Sequence, residues 1–378
     1  MSSQAPLDEN DVLMRGAPEH ARMILIVTDA WAPQVNGVVR TLEGTVRALQ
    51  AMGHVVKIIS PDAFRTIPLP SYPEIRLALF AKNTIARVID SFRPDAIHIA
   101  TEGTLGLAAR RVCVRWKIPF STAFHTRYPD YVHARYRIPR RLTWAWLKWF
   151  HKPAASVMVA TDTLRRELLG HGFGNVRIWS RGADTQLFRP RPGDVVPELA
   201  SLERPLWLNV GRMAVEKNME GFLALDLPGT KVVVGEGPQM AMLQAKYPRA
   251  VFLGLRHGEN LARIFASCDA FVFPSRTDTF GLVLAEALAS GLPVAAYPEQ
   301  APCDVLGGGL VDVNGMGPAG VLDDDLGRAA QKALTLSREA ARAYGLNFSW
   351  DACTLQFVEN LVMPEVRRRL YRQRLQTA

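Results

Sequence analysis

From position 23 onward, short runs of β-branched and aliphatic residues alternate with longer stretches whose apolar positions recur every three or four residues. The runs at 23–28, 54–60, 96–100, 119–125, 156–161 and 176–180 predict strands. Continuous apolar runs of this length, bounded by turn residues, suit strands buried on both faces of a parallel sheet, with the intervening periodic stretches as covering helices. At 189–194 the pattern breaks into Arg-Pro-Arg-Pro-Gly-Asp, and a new run opens at 205–210, followed by 231–234, 251–255, 270–274 and 293–297 with helices expected over 260–267 and 281–290. The alternation predicts two α/β domains facing each other across a cleft, because open parallel sheets bind ligands beyond the carboxyl ends of their strands. The expected boundaries are a loose leader over 1–21, a first domain over 22–190, a linker over 191–204 and a second domain over 205–347. An amphipathic helix over 348–364 begins after the capping residue Ser349, and a basic tail follows over 365–378.

Length and composition fit this picture. A chain of 378 residues exceeds one typical domain. No apolar run approaches the roughly 20 residues needed to cross a bilayer, and the first 19 residues carry four acids and no apolar core, unlike a secretory signal. The four cysteines are far apart, without a C-x-x-C pair, which points to reduced thiols and a cytoplasmic address. A formal charge of +9 asks for an acidic partner: nucleic acid, an anionic membrane or a phosphate-bearing substrate.

The chemistry concentrates where strands run out. After the first strand, Asn36-Gly37 leads into an aliphatic helix, where glycine admits close backbone approach and free N–H groups face outward; a plain loop-to-helix turn explains it equally well. At the start of the second half, Gly211-Arg212 and Glu216-Lys217-Asn218 put two cations where a strand exit meets a helix start, as a departing diphosphate requires. Gly235-Glu236-Gly237-Pro238 reads either as a wall of the same pocket or as a tight strand-to-helix turn. In Asp278-Thr279-Phe280-Gly281-Leu282, continuing to Glu286, two carboxylates flank a helix start. One can accept hydrogen bonds from vicinal sugar hydroxyls while the helix amides take phosphate.

These loops resemble the signature loops of retaining glycosyltransferases of the GT-B fold, family 4-like, which carry an E-x7-E motif. The resemblance implies two Rossmann-like domains with an interdomain cleft and a final helix crossing back to the first domain. It further implies that Arg212 and Lys217 hold the diphosphate, that Glu286 meets the nucleotide ribose, and that Asp278, here replacing the usual glutamate, contacts the donor sugar. A histidine placed like His125 touches that sugar in the wider family; a buried structural histidine is the other reading. The segments 99–106 and 124–132 resemble the glycolipid branch, diacylglycerol glycosyltransferases and phosphatidylinositol mannosyltransferases among them. Expected catalytic residues are therefore His125, Arg212, Lys217 and Asp278. No cofactor and no metal is expected: Asp323-Asp324-Asp325 contains a D-x-D but suits a helix cap.

Between 127 and 152, basic residues interleave with aromatic ones: Arg127, Tyr128, Tyr131, Arg135, Arg137, Arg140, Arg141, Trp144, Trp146, Lys148 and Trp149. Such a segment suits a lipid headgroup layer. The same tryptophans also suit a domain core, a base-stacking groove or a solvated helix face. The expected activity is transfer of a hexosyl unit from a nucleotide diphosphate sugar (UDP-glucose, UDP-galactose or UDP-glucuronic acid, with GDP-mannose behind them) to a membrane lipid such as diacylglycerol. The enzyme would sit on the inner face of the membrane, with no nucleic-acid partner. A soluble acceptor, a sugar-nucleotide epimerase and a non-catalytic binding protein are the alternatives.

Overall fold

The computed structural model describes residues 21–362 apart from 33, 35, 36, 70, 71, 126–136, 279 and 311. The chain divides into two compact units, residues up to Trp179 together with Thr354 onward, and Ser180–Cys353.

The first unit is built on strands β1 (Met23–Val27), β2 (Val55–Ile59), β5 (Ala96–Ile99), β6 (Ser121–Phe124), β7 (Ser156–Val159) and β8 (Val176–Ile178), all parallel, in the order β2-β1-β5-β6-β7-β8. All five residues of β1 are buried, which is why it reads as an unbroken apolar run. Strands β3 (Thr66–Leu69) and β4 (Tyr72–Ala78) form a separate antiparallel hairpin. Helices α1 (Gly37–Ala51), α2 (Ala81–Phe92), α3 (Thr104–Trp116), α4 (Arg140–His151) and α5 (Asp162–Gly170) follow the strands. Their buried residues recur at helical spacing: in α4 these are Thr143, Leu147, Phe150 and His151.

The second unit has six parallel strands, β9 (Leu206–Val210), β10 (Thr230–Val234), β11 (Val251–Phe252), β12 (Ala270–Phe273), β13 (Val294–Ala296) and β14 (Gly320–Leu322), in the order β11-β10-β9-β12-β13-β14. Counted within the sheet this is 3-2-1-4-5-6, the doubly wound arrangement whose ligands sit where the order reverses. Here that point lies between β9 and β12. Helices α6 (Met240–Lys246), α7 (Gly258–Ser267), α8 (Leu282–Ala289), α9 (Gln300–Leu306), α10 (Leu326–Ala333) and α11 (Arg338–Gly345) cover the sheet.

The segment 191–204, read from composition as a linker, is fastened to the second unit instead. Arg191 pairs with Glu259, Arg263 holds Asp194 through Nε at 3.0 Å, and the Val196 amide donates to Ser267 Oγ at 3.2 Å. The last helix, α12 (Trp350–Asn360), starts in the second unit and ends in the first. Its Phe357 ring lies 4.8 Å from Trp179 and 4.9 Å from His98, and Asn360 Nδ2 donates to the Ile178 carbonyl at 2.6 Å.

Candidate active site

In the second unit the loops leaving β9, β10 and β12 converge on the reversal point. The loops after β9 and β10 are interlocked backbone to backbone. The Gly211 amide donates to the Val234 carbonyl and the Met213 amide to the Glu236 carbonyl, both at 2.9 Å. A Cβ at Gly235, whose φ is +135°, would lie 2.0 Å from the Gly211 carbonyl oxygen, and one at Gly237 would lie 2.4 Å from that of Met213. Close packing of two turns thus explains these glycines without a ligand. Arg212 and Glu236 are exposed at the rim.

The loops after β9 and β12 are stitched by side chains. Asn218, in the left-handed region at φ 52°, donates from Nδ2 to the Pro274 carbonyl at 3.0 Å. Thr277 Oγ1 and Ser275 Oγ donate to the Glu216 carbonyl at 3.1 and 3.4 Å. Asn218, Ser275 and Thr277 thus hold the frame, a role the sequence pattern did not single out. Within it, Lys217 Nζ meets Asp278 Oδ1 at 2.5 Å, the lysine side chain 30 % and the aspartate 15 % exposed. Asp278 Oδ2 is buried without a partner among the described residues. Gly281, at φ +76°, turns the chain into α8, with Phe280 buried and Leu282 half-buried beside it. Glu286, one turn further, is only 5 % exposed, so it is no ordinary surface glutamate. Arg276 is committed elsewhere: it pairs with Glu299 at 2.6 Å and lies 3.7 Å over the Tyr297 ring.

In the same unit Asp325 caps α10 by accepting from the Arg328 amide at 3.0 Å. Asp323 accepts from Arg328 Nε at 2.6 Å, and that guanidinium holds its carboxyl down at about 2. Both outer carboxylates of the D-x-D are therefore occupied.

In the first unit, the reversal lies between β1 and β5, and Asp29 organises it. Its carboxylate accepts from Thr101 Oγ1 (2.9 Å), Thr104 Oγ1 (3.2 Å) and the amides of Leu105 (2.8 Å) and Gly106 (3.2 Å), and so closes the start of α3. Burial pushes this carboxyl above its usual range, while those four hydrogen bonds pull it back. Gly37 opens α1 in free space, since a Cβ there would meet nothing within 4 Å. His125 follows β6 and sits edge-on to Trp179 at 5.7 Å. Behind β6, His151 is a wholly structural histidine, with Nδ1 2.8 Å from Thr122 Oγ1 and Nε2 3.2 Å from Glu102.

Helix α4 corrects one expectation. Trp144 does not face outward: it stacks on His171 at 3.9 Å and packs against the core beside Phe124. Leu142, Trp146 and Trp149, spaced i, i+4, i+7, remain 56 %, 38 % and 47 % exposed. Arg137, Arg140, Arg141, Lys148 and Lys152, their neighbours in sequence, are all exposed. Arg110 of α3 lies 3.9 Å over the Trp149 ring and donates to the Trp149 and Phe150 carbonyls at 2.8 and 2.9 Å. With Arg111 and Arg115, also exposed, α3 extends the basic surface beyond the segment read from the sequence. Asn36, Arg127, Tyr128, Tyr131, Arg135, Thr279 and the terminal segments lie outside the described residues.

The model of the family described as Glycosyltransferase Family 4 matches residues 35–187, and that of Glycosyl transferases group 1 matches 204–338. A GDP-mannose-dependent alpha-mannosyltransferase of Mycobacterium tuberculosis is 31 % identical over 75 % of this chain and 81 % of its own length. The alpha-monoglucosyldiacylglycerol synthase of Streptococcus pneumoniae is 26 % identical over 72 % and 70 %. Among solved structures, sucrose-phosphate synthase of Thermosynechococcus elongatus superposes with a TM-score of 0.68 over 94 % of this chain and 100 % of that one, at 21 % identity, a likeness of fold. With two doubly wound units, loops converging on each reversal point and matches along most of its length, the chain belongs to the family 4 glycosyltransferases.

Proposed function

We propose that this glycosyltransferase moves a hexosyl unit from a nucleotide diphosphate sugar, with retention, to the hydroxyl of a membrane lipid. The observation that carries the reaction is the stitched frame around Lys217 and Asp278, with Glu286 buried on the helix that follows. Lys217 and Arg212, with the amides opening α8, meet the charge developing on the departing diphosphate, while Asp278 and Glu286 accept from hydroxyls of the sugar and the ribose. No protein nucleophile and no metal is required.

GDP-mannose is the favoured donor, because the mycobacterial relative is named for it. This reverses the order expected from the sequence alone. An alpha product from a donor whose phosphate is itself α-linked is retention. Glucosyl transfer to diacylglycerol is the second reading, favoured by the streptococcal relative. The acceptor side rests on α4: apolar Leu142, Trp146 and Trp149 amid arginines and lysines suit an anionic bilayer surface, where rings sit at the apolar boundary and cations meet phosphate. No helix among the described residues is long and apolar enough to span a membrane, so peripheral attachment is proposed.

The test is a screen of radiolabelled GDP-mannose and UDP-hexoses against diacylglycerol and phosphatidylinositol in mixed micelles. Label in the organic phase, undiminished by excess chelator, is expected. Label only on water-soluble acceptors sinks the lipid reading. Arg212→Ala and Lys217→Ala should each lower turnover by roughly 10²-fold or more; unchanged turnover in both sinks the leaving-group assignment.

A further inference from the structure

The pair between Lys217 and Asp278 ties together two groups that the proposed reaction needs apart. Lys217 must give its charge to the diphosphate, and Asp278 must give its oxygens to the sugar. Yet Lys217 Nζ lies 2.5 Å from Asp278 Oδ1, in a frame fixed by Asn218, Ser275 and Thr277 on both sides. The second carboxylate oxygen is buried and has no partner among the described residues. A buried carboxylate oxygen without a donor is costly unless a ligand supplies one.

We infer that Asp278 is a placeholder anion: before the donor binds it holds Lys217 in the orientation the diphosphate will use, and donor binding exchanges one anion for the other. The exchange frees Oδ1 for a second sugar hydroxyl, beside the one that Oδ2 awaits. A nucleoside diphosphate without its hexose must break the pair and brings no hexose hydroxyl for the released carboxylate. The complete donor returns that loss. The site thereby discriminates against its own nucleotide product, which favours release after transfer. The inference rests on the assignment of Lys217 to the diphosphate.

Calorimetric titration with GDP and UDP tests it, on the full chain and on the variants Asp278→Asn, Glu216→Gln, Lys217→Met and the double variant Asp278→Asn with Lys217→Met. Asp278→Asn should tighten nucleoside diphosphate binding by roughly two- to fivefold, the scale of a partly exposed ion pair, while turnover of the sugar nucleotide falls. In the Lys217→Met background the same change should leave affinity as it is. Glu216→Gln removes an equal charge from an exposed neighbour whose side chain does not hold the lysine. If it tightens binding as much as Asp278→Asn, the effect is a general field and the exchange is overturned. It is overturned equally if Asp278→Asn weakens binding or leaves it unchanged while Lys217→Met weakens it, for then the pair persists with ligand bound. If Lys217→Met does not alter affinity, the assignment of Lys217 to the diphosphate fails first and takes the exchange with it. Thermal unfolding of each variant controls for folding.

Discussion

Two glycines of the candidate site look alike in sequence and do different work. Gly235 holds φ +135° with a carbonyl 2.0 Å from where its Cβ would be, so Gly235→Ala should cost about 3 kcal/mol, a fall in Tm of roughly 6–12 °C, and donor binding with it. Gly37 has open space on its Cβ side. Gly37→Ala should therefore leave Tm unchanged or slightly raised and raise the donor KM, measurable by differential scanning fluorimetry beside steady-state kinetics. A loss of Tm at Gly37 would mean that the glycine serves the fold. Periodicity and composition cannot separate the two cases, because a glycine that admits a ligand and one that admits another backbone share the same sequence context.

At the scale of the element, α4 carries three surfaces on three turns. Thr143, Leu147, Phe150 and His151 face the core, Leu142, Trp146 and Trp149 face outward, and Arg141, Lys148 and Lys152 flank the outer apolar stripe. Trp144 belongs with the first group. Replacing it with alanine should destabilise the first unit by about 2–3 kcal/mol, less than for a fully buried tryptophan because it is only partly covered. Trp146→Ala combined with Trp149→Ala should leave Tm within a few degrees but abolish sedimentation with anionic vesicles, with donor hydrolysis retained. Vesicle binding that survives this change while requiring Trp144 would reverse the assignment. Sequence showed an aromatic-basic stretch here; which ring faces which way depends on the phase of the helix against β6 and α5, and spacing alone does not fix that phase.

Across the whole molecule, all four cysteines are free thiols, three of them buried and Cys303 exposed. Burial pushes the Cys113 thiol up to about 12 and the Cys268 thiol higher still, so neither ionises at pH 8. Titration with a thiol reagent at that pH should count about one fast thiol per native chain, lost in Cys303→Ser, and four after unfolding. A native count of two or more would contradict the burial of the other three.

The alternation of apolar runs and periodic stretches determined two α/β units with parallel sheets, since strands covered on both faces must be apolar throughout, and the loop motifs led to the glycosyltransferase family. The strand β14 and the hairpin β3–β4 escaped this reading: β14 closes a glycine-rich stretch, 307–320, that reads as loop, and a hairpin outside the main sheet breaks the strand-helix alternation. Only the tertiary structure decided that residues 191–204 belong to the second unit, because ion pairs across some 65–70 residues of sequence bind them there. It alone placed Asn218, Ser275 and Thr277 as the stitches of the site and set Asp278 on Lys217. Those contacts join loops 56–61 residues apart, and proximity of that kind is a property of how strands are ordered in a sheet, which no local pattern of residues encodes.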